Sequence, residues 1–447
     1  MHVNHIALSP SAPALGQVQS GTSVYRRTNL AFFAAGFVTF VTLYDVQPLL
    51  PEFAREFGIS PTLGSLPLSV STATLAIAML FAGTVSETLG RKPVMTGALF
   101  LTSVLTLLTA FSHGFASLLL LRFLQGVVLA GLPAVAMAYL SEEMDSTSLG
   151  AAMGLYISGN AIGGMTGRIF TAAMTDLVSW RAALGGIGLF CLVLSCFFAW
   201  SLPHSHLPRR PFATRYLFTS LLLHVRDPGL LSLYGVAFLA MGSFVTLYNY
   251  LTFRLLAPPY QFSQWHVSLI FLVYLLGSLC ATVMGHFVNR FGRAPLLRFS
   301  LAAMAGGALL TLATDLPLLI AGVAVFTGGF FGAHSVASSW VGRHAVLARA
   351  QASALYLFFY YLGSSISGTS GGVCWTHGGW PVVVGLIVTL IILALGVTRF
   401  LPVFGQPGAE SVLRSRSPSP PRSALRDSDR NQGNGDGVQI TDQKEAE

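Results

Sequence analysis

Long apolar runs alternate with short polar breaks along this chain, and the length of the runs is the first clue. Twelve stretches of about 20 apolar residues, long enough to cross a bilayer as helices, occupy 29–50, 63–84, 94–112, 115–140, 149–172, 182–202, 229–252, 265–287, 295–314, 317–340, 352–373 and 381–402. Pro48 and Pro51 are expected to close the first. Residues 1–28 are rich in Ser, Pro and Gly and hold no apolar run of the signal-peptide kind. Residues 203–228 separate two groups of six spans and carry Arg209, Arg210, Arg215 and Arg226. Residues 403–447 turn to Ser, Pro, Arg, Asp and Gln. The pattern predicts an all-α membrane protein of two pseudo-symmetric six-helix bundles, 29–202 and 229–402. A cytoplasmic linker joins them, and both ends are expected to be disordered.

The two halves repeat. Gly83-Thr84-Val85-Ser86-Glu87-Thr88-Leu89-Gly90-Arg91-Lys92-Pro93 lies between the second and third spans, and Gly285-His286-Phe287-Val288-Asn289-Arg290-Phe291-Gly292-Arg293-Ala294-Pro295 lies between the eighth and ninth. In the first copy Gly83 and Gly90 permit close helix approach and an unusual turn. Arg91 and Lys92 are costly to translocate, and Pro93 suits the first turn of a helix. Phe40-Val41-Thr42-Leu43-Tyr44-Asp45 returns at constant offset as Phe244-Val245-Thr246-Leu247-Tyr248-Asn249, five identities in six. Gly159-Asn160-Ala161-Ile162-Gly163-Gly164 returns at the same offset as Gly363-Ser364-Ser365-Ile366-Ser367-Gly368.

The first loop resembles the signature loop of the major facilitator superfamily, Gly-x-x-x-Asp-Arg-x-Gly-Arg-Arg between helices 2 and 3. It keeps Gly83, Gly90, Arg91 and Lys92, with Glu87 and Thr88 in place of the Asp and Arg. The second copy keeps Arg290 and has Asn289 at the acidic position. Arg122-Phe123-Leu124-Gln125-Gly126 resembles the superfamily's helix-4 motif. Gly159, Asn160, Gly163 and Gly164 resemble the helix-5 motif of its antiporter branch, with Asn160 in place of a proline. The resemblance spans residues 29–402, and within the superfamily it is to bacterial inner-membrane sugar or multidrug efflux proteins of the arabinose-efflux-permease type. It implies parallel repeats with a substrate site at their interface and transport by alternating access. It also implies that Gly83, Glu87, Gly90, Arg91 and Lys92, with Asn289, Arg290, Gly292 and Arg293 of the second copy, latch the halves on the cytoplasmic side when the cavity opens outward. A purely topogenic loop is the alternative.

Composition narrows the class. Only 9% of residues are charged and 53% are apolar, whereas soluble proteins carry about 25% charged residues. With the N-terminus in the cytoplasm, the cytoplasmic loops hold 13 Lys and Arg residues: Arg26, Arg27, Arg91, Lys92, Arg209, Arg210, Arg215, Arg226, Arg290, Arg293, Arg298, Arg343 and Arg349. The outer loops and helix ends then hold 4: Arg55, Arg168, Arg181 and Arg254. The positive-inside rule therefore places both termini inside a cytoplasmic (inner) membrane. The acidic segment Ser141–Ser148, with Glu142, Glu143 and Asp145, counts little in that rule. The four cysteines lie in or at the ends of apolar runs without a CxxC pair, which suggests neither a disulfide framework nor a metal site. No nucleotide-binding Gly-Lys-Ser/Thr loop and no catalytic constellation is visible, so the chain reads as no enzyme. The expected energy source is a proton gradient in place of a cofactor. Its partners are protons, lipid and a small-molecule substrate, with no nucleic acid, and one chain should enclose a whole pathway as a monomer.

Charges inside the membrane mark candidate sites. Asp45 and Arg122 lie well inside predicted spans, about 8 Å and about 10 Å below the outer surface at 1.5 Å per residue. Asp45 is expected to carry the coupling proton with Arg122 beside it. The alternatives are a carboxylate capping the break before Pro48 and an arginine anchored on backbone carbonyls. Tyr44, Gln47, Gln125, Tyr248, Asn249, His334 and Tyr360 are candidate substrate contacts, as are Tyr250, Trp340 and Tyr361, with core packing the alternative for each. A proton-relay role is a further possibility for His334. The reading is a secondary transporter, a proton antiporter exporting a sugar or drug-like solute. A proton symporter for uptake and a non-transporting receptor are the alternatives.

Overall fold

Each apolar run folds as a helix, and the polar residues between runs supply the caps. The computed structural model describes residues 18, 21–145, 148–203, 214–345 and 347–401. Its spans are α1 (Ser23–Tyr44), α2 (Leu66–Leu89), α3 (Arg91–Thr109), α4 (Phe115–Leu129, resumed as Pro133–Glu143), α5 (Leu149–Leu177), α6 (Trp180–Ser201), α7 (Pro228–Leu256), α8 (Val273–Phe291), α9 (Arg293–Leu310) and α10 (Leu316–His344). The last long helix, Arg349–Val397, is two spans. Gly378 and Gly379 leave helical geometry, Gly379 at φ 62°, and divide it into α11 (349–377) and α12 (380–397). Nine helical stretches among the described residues are long and apolar enough to cross a membrane, and the broken one counts twice. The glycine-rich α5 and α9, with Arg293 and Arg298, bring the total to twelve.

Ser179 caps α6 by accepting from Ala182 N–H, and Asp315 caps α10 by accepting from Leu318 N–H. Asp227 caps α7 by accepting from the Gly229 and Leu230 amides, and His344 Nε2 lies 3.1 Å from both its oxygens. Burial pushes the Asp227 carboxyl up, but these donors outweigh it and hold the group below the ordinary aspartate value.

Three boundaries differ from the sequence reading. Pro48 and Pro51 do not close the first span. The helix breaks at Asp45, passes through the 3₁₀ turn Gln47–Leu49 and resumes as Leu50–Glu56. Both prolines sit in first turns, where a missing N–H costs nothing, so they restart the helix. The leading segment is ordered before residue 28. Thr22 caps α1, and Val18 N–H donates to Glu143 O at 2.8 Å. The linker contains a helix, Thr214–Val225, with His224 Nε2 3.1 Å from Ala348 O and Phe218 packed against Phe81 of α2. Arg209, Arg210 and the tail 403–447 lie outside the described residues.

Small residues set the packing. Gly159 and Gly163 of α5 lie on the α1 backbone, where an added Cβ would strike the carbonyl oxygens of Phe33 and Phe37. Gly363 of α11 meets Phe238 O of α7 in the same way. The glycine-rich sequence repeat is thus a repeated helix contact. The cross-half hydrogen bonds among the described residues all lie towards the face where α1 ends, here the distal face. Gln47 Nε2 donates to Asn249 Oδ1 at 2.8 Å, and Trp265 N–H donates to Asp176 Oδ2 at 2.7 Å. Ser365 Oγ and Thr369 Oγ1 donate to Ser69 O and Ser69 Oγ, each at 2.8 Å.

Gly163→Val should destabilise the fold by about 1–3 kcal/mol, as overpacking does in dense cores. Gly150→Ala, where an added Cβ meets nothing within 4 Å, should be near neutral. Thermal unfolding of the two variants in detergent checks the contrast.

Candidate functional site

The break in α1 creates the site. A helix end leaves carbonyls without intrahelical donors, and Arg122 of α4 supplies them. Its Nη2 donates to Leu43 O at 2.8 Å, its Nη1 to Thr42 O at 3.0 Å and its Nε to Pro67 O of α2 at 3.1 Å. Nη1 also reaches Gln125 Oε1 at 2.5 Å and Asp45 Oδ1 at 3.3 Å. Gln125 Nε2 passes the network on to Thr42 O and to Thr106 Oγ1 of α3. Asp45 and Arg122 are 0% and 1% exposed, so this is a dry ion pair. Asp45 Oδ2 has no hydrogen-bond partner among the described residues. The Asp45–Arg122 pairing expected from their similar depths is therefore present. The backbone-anchor alternative for Arg122 is also realised, because the same guanidinium does both.

A second buried arginine lies one turn along the α1 chain. The sequence reading placed Arg168 among outer-loop and helix-end charges, and the structure corrects this. It is inside α5, 2% exposed, with Nε donating to Gln47 Oε1 and Nη1 to Gly164 O, both at 2.6 Å. Its guanidinium carbon stands 4.2 Å from the Tyr44 ring centroid, 5.0 Å from Tyr274 and 5.1 Å from Phe271. The available signal was position. Arg168 follows Gly164 by four residues and so shares the face that Gly159, Gly163 and Gly167 press onto α1.

The other candidates divide. Tyr44, Gln47 and Asn249 gather with Arg168 at the distal seam, where Gln47 joins Arg168 to Asn249. Gln125 is engaged by Arg122 and Thr106. Tyr248 is buried within the second half, its hydroxyl 2.7 Å from Thr327 Oγ1 and its ring stacked on Phe271. His334 Nδ1 lies 3.0 Å from Tyr356 OH, and its ring packs on Phe330 and Tyr360. These are the contacts of the packing alternative. Asn160 is packed towards Gly36 with its Oδ1 unpartnered among the described residues.

The loop residues also rearrange the expectation. Gly90 at φ 102° and Gly292 at φ 81° both occupy the left-handed region that opens the next helix, as a repeated glycine requires. An added Cβ on Gly83 meets nothing within 4 Å, so no close approach needs that glycine here. Arg91 pairs chiefly with Glu142, at 2.7 and 3.1 Å, and only loosely with Glu87 at 3.6 Å. Lys92 Nζ donates to Leu202 O. These contacts stay inside the first half and do not latch the two halves in this state. Glu142, read from the sequence only as an acidic exception to the loop charges, is the missed partner. In the second copy Arg290 lies over the Phe291 ring, and Arg293 Nε is buried without a partner among the described residues. The side chain of Asn289 lies outside the described residues.

Comparisons with known proteins agree with this architecture. The family model "Major Facilitator Superfamily" matches residues 29–277. The MFS-type transporter YybF of Bacillus subtilis is 48% identical over 385 residues, covering 86% of this chain and 95% of its own. The inner membrane transport protein YnfM of Escherichia coli is 47% identical over 379 residues, covering 85% and 91%. The solved nucleoside transporter NupG shares the fold at a TM-score of 0.67 and 16% identity, covering 83% of this chain and 99% of its own.

Breaking a buried ion pair from one side costs about 3–5 kcal/mol because a dry charge is left behind. Arg122→Gln should therefore lower the thermal midpoint more than the double variant Arg122→Gln/Asp45→Asn. Unfolding curves of the single and double variants would show the pair to be uncoupled if their losses simply add.

Proposed function

The chain belongs to the major facilitator superfamily and is a multi-pass membrane transporter, and from that premise we propose that it is a proton-coupled antiporter exporting a small organic solute by alternating access. The observation that carries the proton coupling is the Asp45–Arg122 pair. Asp45 is the acid of the pair, it is dry, and its Oδ2 has no hydrogen-bond partner among the described residues. Arg122 favours the ionised carboxylate while the pair is closed. When Asp45 is protonated, Arg122 still holds Thr42 O, Leu43 O, Pro67 O and Gln125 Oε1, so the site survives the change of charge.

The proton then acts on the seam through the chain. Asp45 is two residues from Gln47, which bridges to Asn249 of the other half. A proton at Asp45 weakens its hold on Arg122, shifts the 45–47 turn and loosens the Gln47–Asn249 contact. The positive-inside count assigns the distal face to the outside, both termini to the cytoplasm and this state to closure outward. The export direction draws on the Gly159–Gly164 face, which resembles the antiporter motif and seats α5 on α1. The membrane is the cytoplasmic one, in keeping with the name of the Escherichia coli relative. A single chain supplies both halves of the pathway.

One observation favours a second reading, symport for uptake. Arg168 is a second buried cation, so protonating Asp45 adds to a local positive charge that draws an anionic solute in with the proton.

Proteoliposomes with a pH dye inside test both readings. A solute added outside should alkalinise the lumen under antiport and acidify it under symport. Asp45→Asn should abolish the pH change while solute exchange persists. Solute accumulation against a gradient in Asp45→Asn would remove Asp45 as the proton carrier.

A further inference from the structure

We propose that Arg168 anchors an anionic solute. The charged end of an organic carboxylate is taken by the Nε–Nη2 edge of its guanidinium, where Nη2 is unengaged and Nε holds only the Gln47 amide oxygen, and the body of the solute lies on Tyr44, Phe271 and Tyr274. The inference rests on the transporter reading but not on its direction.

The two buried arginines make the case by contrast. Arg122 is saturated, with four neutral oxygens and a carboxylate around it. Arg168 is equally dry but has two neutral oxygens, Gln47 Oε1 and Gly164 O, and no carboxylate pairs with it among the described residues. Its Nη2 makes no hydrogen bond there. A buried cation without a counter-charge is costly to hold, and the three rings offset only part of that cost. A purely structural tie between α5 and the α1 break would be served by a neutral amide. A guanidinium earns its place where a planar oxyanion is to be gripped at two points.

Position supports the same use. Tyr44 belongs to the first half, whereas Phe271 and Tyr274 belong to the second. The surroundings of Arg168 are therefore closed by the seam, and on this proposal they open to solute when the halves part. Gln47 already offers Arg168 an amide oxygen, the neutral counterpart of a carboxylate oxygen, and uses its other end on Asn249. A carboxylate that displaces Gln47 from Arg168 satisfies the charge and acts on the cross-half bridge in one step.

The test is thermal unfolding of the full purified chain in detergent with matched probes: benzoate, benzamide and benzyltrimethylammonium, and gluconate beside glucose. A ligand that binds the folded state raises the midpoint. At least one carboxylate should raise it while its neutral and cationic counterparts do not. Arg168→Gln should abolish the shift and Arg168→Lys should keep part of it. Arg181→Gln, at an outer-rim arginine paired with Glu56, should keep all of it. An Arg168→Gln protein that is as stable as the parent without ligand excludes misfolding as the cause. Equal shifts from the neutral or cationic probes, no shift from either carboxylate, or a shift that survives Arg168→Gln overturns the proposal. A solute-driven pH signal with cations alone would overturn this inference and leave proton coupling standing. A carboxylate shift without proton flux would do the reverse.

Discussion

A guanidinium buried in a membrane protein needs oxygen on every side, and the first half of this molecule is arranged to provide it. The restart of α1 at Pro48 and Pro51 ends the helix at Asp45 and turns two carbonyls towards α4. Arg122 takes both, adds Pro67 O from the start of α2, and recruits Gln125, which reaches α3. Four helices are thereby tied to one cation. Asp45 then contributes charge rather than most of the bonding. That division rests the scaffold around the cation on neutral oxygens.

The repeat is copied in backbone and altered in chemistry. Both halves use a left-handed glycine to begin the third helix and a glycine-rich face to seat the fifth on the first. Yet Asp45 has Asn249 as its counterpart, and α7 runs unbroken past that residue while α1 breaks. The first half holds buried charges, Asp45, Arg122, Glu143 and Arg168 among the described residues. The second half answers with rings: Phe244, Tyr248, Phe271, Tyr274 and Phe330 pack against one another, some stacked and some edge to face. Polar machinery thus sits on one side of the seam and an aromatic wall on the other. This suits a solute with a charged end and an apolar body.

Much of this was legible in the sequence because bilayer thickness and helical rise set a ruler. Twelve runs, their halves and the common depth of Asp45 and Arg122 all follow from residue counts, and the structure pairs those two side chains. What counting missed depends on facing direction and on partners distant in sequence. Arg168 lay near the end of a run and was tallied as a topogenic charge, although its place after Gly164 turns it towards α1. Glu142 was set aside as an acidic exception because nothing local shows that α4 returns to the α2–α3 loop. The prolines after Asp45 were taken as an end, since composition alone does not tell a stop from a restart. Tyr248 and His334 looked like cavity residues by type and prove to be bonded within the second-half core.

Charge counting links the proton to the solute. Three charged side chains gather near the end of α1 among the described residues: two arginines and one aspartate. Arg168 is joined by Gln47 to the turn that follows Asp45, and both charges belong to the first half. Protonating Asp45 leaves two dry cations with no anion, the costliest state to enclose. On the proposed assignment, an anion at Arg168 would relieve it. If Asp45 carries the proton and Arg168 the solute anion, as proposed, each favours the other's binding within one conformation, and the help is reciprocal. Symport uses that linkage directly. Antiport must defeat it, and Gln47 is the one element placed to do so, because it is shared between Arg168 and the cross-half contact to Asn249. A solute that displaces Gln47 from Arg168 acts on the seam, whereas a proton at Asp45 acts on the turn that carries Gln47. The two ligands can then favour opposite positions of one side chain, so the direction of coupling depends on whether Gln47 outweighs the local electrostatics.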